Sequence, residues 1–173
     1  MQKRKVLLTT LEMTKFAIFG GMMFAFKYIE GIPNVHPLAL LTVIFTVVYR
    51  AKALWILAVF DLLVGITAGF GIWWVPYLYL WTILWGVTML MPNKMHPATA
   101  AIVYSIHCAA HGFLYGTLYA PYQALVFGYN WQGMIAWIAS GLPYDLIHGV
   151  SNLAMSVLTV PLITLLKKLE KQT

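Results

Sequence analysis

Six apolar runs follow one another along the chain, each stopped by a proline, a glycine or a basic residue, and this succession limits the fold more than any single motif does. The runs are about Thr9 to Ile29, Leu38 to Tyr49, Ala53 to Phe70, Tyr77 to Met91, Pro97 to Leu118 and Pro143 to Leu166. A helix rises 1.5 Å per residue, so about 20 apolar residues cross a hydrocarbon core. The longer runs have that length; the second is short and must thin the bilayer or hide inside the bundle. A soluble domain of 173 residues needs a polar shell, which a chain 61% hydrophobic and 9% charged cannot supply. The sequence predicts an all-α membrane protein: six transmembrane helices forming one domain over residues 1–173.

Charge sets the expected orientation. The formal net charge of +6 does not point to nucleic acid, because the basic residues stand in short clusters at the ends of the apolar runs. With both termini cytoplasmic, the inner face receives Lys3, Arg4, Lys5, Arg50, Lys52, Lys94, Lys167, Lys168 and Lys171, nine of the eleven basic residues. After Lys3-Arg4-Lys5 the chain enters a long segment without a small-residue cleavage site, so the first helix is expected to be retained. A lone cysteine, Cys108, rules out an internal disulfide framework. The outer face receives the Pro33 loop, the Trp73-Trp74 turn and a stretch from Tyr119 to Gln132, expected as a loop with aromatic anchors. Met134 to Ser140 is expected as a short interfacial piece.

The polar residues gather toward that outer side. In Gly141 to Asn152, Pro143 has no amide hydrogen to leave unpaired and Asp145 brings negative charge, so a helix is predicted to start there. Asp145, His148 and Asn152 then share one face at i, i+3 and i+7. His107, His111 and Tyr115 are four apart in the fifth run, and Tyr77, Trp81 and Trp85 in the fourth. From the direction of each helix, Tyr77, Trp81, His111, Tyr115, Tyr144, Asp145 and His148 reach one outer level, with Trp74 beside it and Asn34 and His36 able to close over it. Aromatic walls with a few placed polar groups are the usual recipe for a small-molecule site. Asp61, in the middle of the third run, is expected to face inward in a structural hydrogen bond.

Other chemistries have weaker support. His107 and His111 are a metal-compatible i, i+4 pair that Asp145 and His148 could complete, giving a metal-ion permease as the alternative, but no cysteine pair or His-Glu-x-x-His motif accompanies them. Bonded instead to one another and to neighbouring carbonyls, the same residues would be structural. No nucleophile motif, phosphate loop or paired catalytic carboxylates point to an enzyme, and no cofactor is expected. Without a nucleotide-binding motif, active transport needs other subunits.

The first run carries Ala17, Gly21 and Ala25 at four-residue spacing, a nearly bare stripe that lets a second helix approach closely, either within the bundle or from a partner. Together with the Ile32-Pro33-Asn34-Val35 loop and the Gly141 to His148 stretch, this stripe resembles the S components of energy-coupling factor (ECF) vitamin transporters, over nearly the whole chain. The resemblance implies a multi-pass protein of the bacterial cytoplasmic membrane that binds a vitamin-like small molecule from outside. It further implies docking through Ala17, Gly21 and Ala25 to a transmembrane coupling protein carrying two ATPase subunits, and a substrate site at the outer ends of the last three runs with the first loop. Glycine in the stripe, where alanine is commoner in that family, still permits close approach. S components share a fold and differ in cargo. The aromatic outer face suits a large, flat or macrocyclic ligand, with cobalamin the best guess and a queuosine-type or thiamine precursor the alternatives.

Overall fold

A computed structural model describes residues 8–28, 31, 34–92 and 94–172. The basic cluster Lys3-Arg4-Lys5, Ile29, the loop residues Glu30, Ile32 and Pro33, and Asn93 lie outside the described residues. Eight α-helices follow in order: α1 (Thr10–Tyr28), α2 (Leu38–Tyr49), α3 (Ala53–Ala68), α4 (Val75–Leu90), α5 (Pro97–Phe113), α6 (Tyr115–Phe127), α7 (Trp131–Ser156) and α8 (Thr159–Glu170), with a 3-10 turn over Arg50–Lys52. The fold is an all-helical bundle.

The first four helices follow the apolar runs closely. α1 opens with a capping box: the Glu12 amide donates to Thr9 Oγ1 at 3.2 Å and the Thr9 amide to Glu12 Oε2 at 3.0 Å. α2 runs back along it, with Phe16 against Tyr49 at 5.0 Å between ring centroids and Phe19 against Phe45 at 4.8 Å. Arg50, at φ +54°, then reverses the chain into α3. Lys52 meets Glu12 at one end of the α1–α3 pair, while Gly20 lies against Val59 and the Ile56 carbonyl further up, so α1 and α3 run parallel. Nine of the 12 residues of α2 are buried, and it touches α1, α3, α4, α5, α7 and α8 as a central post.

The second half departs from expectation. The stretch expected as a loop from Tyr119 is helix α6 up to Phe127, closed by Gly128 in the left-handed conformation at φ +69°. Three residues on, Asn130 caps α7 by accepting from the Gly133 amide at 2.8 Å. α7 therefore starts at Trp131, absorbing both the expected interfacial piece and the expected helix start at Pro143. Pro121 and Pro143 stand inside their helices with their rings exposed, each giving up one backbone hydrogen bond without a steric conflict in the core. The last run is also divided: α7 and α8 meet at a bend of 53°.

α5 and α7 lie unusually close. A Cβ on Gly112 would come within 2.8 Å of the Gly149 backbone, and one on Gly149 within 2.3 Å of the Phe113 ring. Asn152 Nδ2 donates to the Cys108 carbonyl at 3.1 Å across the same seam. By length and composition, the helical stretch Leu38–Ala68 is apolar enough to cross a membrane, as is the bent α7–α8 pair if counted as one span; Val75–Leu90 is a shorter apolar helix.

Candidate functional site

The rings predicted to share a level do meet. Trp81 of α4 lies 5.5 Å from His111 and 6.1 Å from Tyr115, measured between centroids. His111 and Tyr115 are 5.8 Å apart, Tyr115 and His148 5.0 Å, and His111 and His148 6.5 Å. His36, on the loop before α2, stands edge-on to His148 at 5.2 Å. On the other flank Phe60 of α3 meets Trp81 at 6.0 Å and Tyr77 at 6.4 Å, and the Lys27 ammonium sits 5.3 Å from the Tyr77 ring centre. Such separations are direct contact, so the rings form a floor, with His36 folded over one edge of it.

The polar atoms within this cluster carry the chemical information. His36 Nδ1, His111 Nδ1, His148 Nε2, Trp81 Nε1 and Asp61 Oδ1 are all buried and have no hydrogen-bond partner among the described residues. Native structures leave few such groups, because each costs its full desolvation penalty. Nine such atoms occur among the described residues; four of them belong to the touching rings, and the fifth named here is on Asp61, next to Phe60. Burial, aided by the nearby Lys27 charge and only partly offset by the residue's own backbone, pushes His36 down to about 4, which keeps this loop imidazole neutral at physiological pH.

Asp145 has a different task from the one expected. Its carboxylate accepts from the Gly116 amide, with its two oxygens at 3.0 and 3.1 Å, so it places negative charge at the N-terminus of α6 rather than of its own helix. A Cβ at Gly116 would come within 2.6 Å of that carboxylate, so the approach depends on glycine. This clasp fixes Tyr115, the neighbour of Gly116, against His148, one turn from Asp145.

Four expected site residues stand apart from the ring floor. His107 lies one turn deeper, its Nε2 3.0 Å from Thr88 Oγ1 and 3.2 Å from the Leu84 carbonyl, a bonded structural histidine. Trp74 donates to the Asp61 main-chain carbonyl at 2.8 Å and packs on Phe70, fastening the α3–α4 turn. Tyr144 is exposed, and only its carbonyl meets Asn34 Nδ2, at 3.5 Å. Asn34 itself, at φ +66°, shapes the loop that carries His36. Periodicity places a residue on a helix face but not at a depth, which is why these were grouped with the others.

Phe60 and Asp61 were not expected in the cluster. Asp61 was expected in a structural hydrogen bond, yet its Oδ1 has none. The signal available in the sequence was the Phe60-Asp61 pair itself, an aromatic and an acid side by side in an apolar run. Among the described residues, no group of three or more His, Cys, Asp and Glu side chains is placed to hold a metal ion.

The small-residue stripe of α1 points away from the bundle. Ala17 and Ala25 are exposed and a Cβ on Gly21 would meet nothing within 4 Å, whereas Gly20 on the adjacent face is pressed against α3. No protein-family model, curated protein or solved structure matches this chain.

Proposed function

We propose that this chain is the substrate-binding membrane subunit of an importer of the energy-coupling factor type, holding a ring-bearing micronutrient on the floor formed by Trp81, His111, Tyr115 and His148. The observation that carries this reading is the set of five unpartnered buried polar atoms on and beside those rings. A ligand that supplied their hydrogen bonds would offset the desolvation cost of burying these atoms. Because the rings touch, the floor accommodates one flat ring system more readily than a corrinoid, so the smaller of the cargos that the resemblance admits fit better.

Two features support a membrane setting. Every buried residue of α7 is polar or glycine, while Leu142, Leu146, Ile147, Val150 and Leu153 on the same helix are exposed, the distribution expected of a helix facing lipid. The end of the bundle where Arg50, Lys52 and Lys15 lie also holds the start of α1 and the end of α8, in keeping with cytoplasmic termini and six crossings in which α6 extends the fifth and α7–α8 form the sixth. The outward stripe of Ala17, Gly21 and Ala25 would receive the transmembrane coupling protein and, through it, two ATPase subunits.

The test is to extract the full chain from membranes in mild detergent and identify by mass spectrometry any organic molecule that it retains, then to repeat this with His148→Phe. A retained ring compound lost in the variant is the expected result. Protein that carries no such molecule, and binds none of a panel of ring-containing vitamins, would overturn the proposal.

A further inference from the structure

Asp61 is 4% exposed in the middle of α3, and its Oδ1 meets no donor. The ion pairs among the described residues, Lys15 with Glu170 and Lys52 with Glu12, are at the opposite end of the bundle. The Trp74 indole that approaches Asp61 takes its main-chain carbonyl and leaves the carboxyl unserved. A carboxyl group withdrawn from water without a counter-charge or donor is strongly unfavourable, so a chain that keeps one beside its ring floor has a use for it. Its neighbour Phe60 touches Trp81 and Tyr77, which sets Asp61 on the turn of α3 that packs against the rings.

The hydrogen-bonding sense of the adjoining groups is fixed by chemistry. His111 Nε2 lies 3.2 Å from the Leu80 carbonyl, which can only accept, so Nε2 carries the hydrogen and the unpartnered Nδ1 is a bare acceptor. Trp81 Nε1 can only donate. Asp61 and His111 thus call for donors on the ligand, and Trp81 for an acceptor.

Resting on the receptor reading above, we propose that Asp61 is the recognition carboxylate of this site and that its ligand is a flat nitrogen heterocycle bearing an amino or amidine-type N–H edge. The ring lies on the aromatic floor, its N–H groups donate to Asp61 and His111, and a ring oxygen or nitrogen accepts from Trp81. A compound of this class arrives with the donors that the site lacks, whereas a plain aromatic ring of the same size leaves both acceptors unpaired.

The experiment uses the full chain in detergent micelles and three probes followed by tryptophan fluorescence and calorimetry: 7-deazaguanine, 2-methylbenzothiazole as a flat bicycle without N–H, and cyanocobalamin. The proposal expects 7-deazaguanine to bind at least 30-fold more tightly than 2-methylbenzothiazole, and Asp61→Asn to remove most of that difference. It also expects empty Asp61→Asn to melt no lower than the parent, because an unpaired carboxyl has been removed; a purely structural aspartate would lower the melting temperature. Should Asp61→Asn fail to fold, Trp81→Phe, which deletes the donor and keeps a ring, is expected to weaken 7-deazaguanine at least tenfold. Equal binding of the two bicycles, or binding unchanged by both substitutions, overturns the assignment. Tight cyanocobalamin binding indifferent to Asp61→Asn overturns it too while leaving the receptor reading standing. No binding by any probe together with no retained organic molecule overturns both.

Discussion

α2 and α7 are packed in the same bundle and bury opposite things. α2 hides Leu38 to Thr46 almost without interruption, seven apolar residues with two threonines, one of which, Thr46, returns its hydroxyl to the Thr42 carbonyl at 2.6 Å. α7 hides Asp145, His148, Gly149, Ser151, Asn152 and Ser156 and turns its leucines and isoleucines outward. A helix surrounded on all sides by other helices stays together by filling space, whereas one at the margin of an apolar solvent reserves its inner face for groups that need partners. The difference separates two jobs: α2 supports, and α7 fastens and, in the proposed receptor, also recognises. Asp145 and the Asn152 amide nitrogen reach partners on the α5–α6 arm, while His148 keeps one nitrogen unpaired beside the rings.

That contrast can be broken at the seam. Gly112→Val sets a branched side chain against both the Asn152 amide and the Gly149 backbone, the latter unable to yield, and is expected to cost about 3 kcal/mol or more. Thermal unfolding in detergent checks this, and a variant that melts with the parent would mean that α5 and α7 are held less closely. Asp145→Ala removes the acceptor at the α6 N-terminus and is expected to cost roughly 2–3 kcal/mol, with Asp145→Asn retaining part of the stability. Hydrogen exchange at the Gly116 amide is the direct readout.

On α1 two adjacent glycines are expected to behave differently. Gly20→Ala drives a methyl group to within 2.6 Å of Val59 and 2.9 Å of the Ile56 carbonyl, at a cost of roughly 1–3 kcal/mol. Gly21→Leu meets open space and is expected to leave stability within about 0.5 kcal/mol while abolishing uptake by a reconstituted importer. Preserved uptake would remove the stripe from the docking surface. No destabilisation is expected at His148→Phe, which replaces an unpaired buried nitrogen by carbon: the melting temperature stays level or rises, by up to about 1 kcal/mol equivalent, and ligand retention is lost. A marked loss of stability would reassign His148 to the fastening role of its neighbours.

The legible part of this fold was its apolar architecture. Helices α1 to α4 lie within a few residues of the runs that mark them, because the chain there breaks at real turns such as Gly69, at φ +88°, and Arg50. α6 was hidden by its composition: Tyr, Pro and Gln obscured a helix whose stop at Gly128 and start signal at Asn130 were both written in the sequence. Pro143 was expected to start a helix and the Pro121 stretch to be a loop, but a proline on an exposed helix face costs one hydrogen bond and local crowding with the carbonyl four residues back, which a helix held by its packing can bear. At the site, spacing alone brought Trp81, His111, Tyr115 and His148 together. The duty of Asp145 lay on another helix, and Asp61 carries its meaning only where its neighbour Phe60 meets Trp81 and Tyr77, a juxtaposition that no single helix pattern contains.

The Asp145 clasp has a consequence for how such a protein can diversify. It holds the distance between Tyr115 and His148 from behind, through a main-chain amide that would take no part in touching the cargo of the proposed receptor. Either ring can therefore be exchanged for another without loosening the frame that spaces them, so preference for a new compound is open to single substitutions on a scaffold that stays the same.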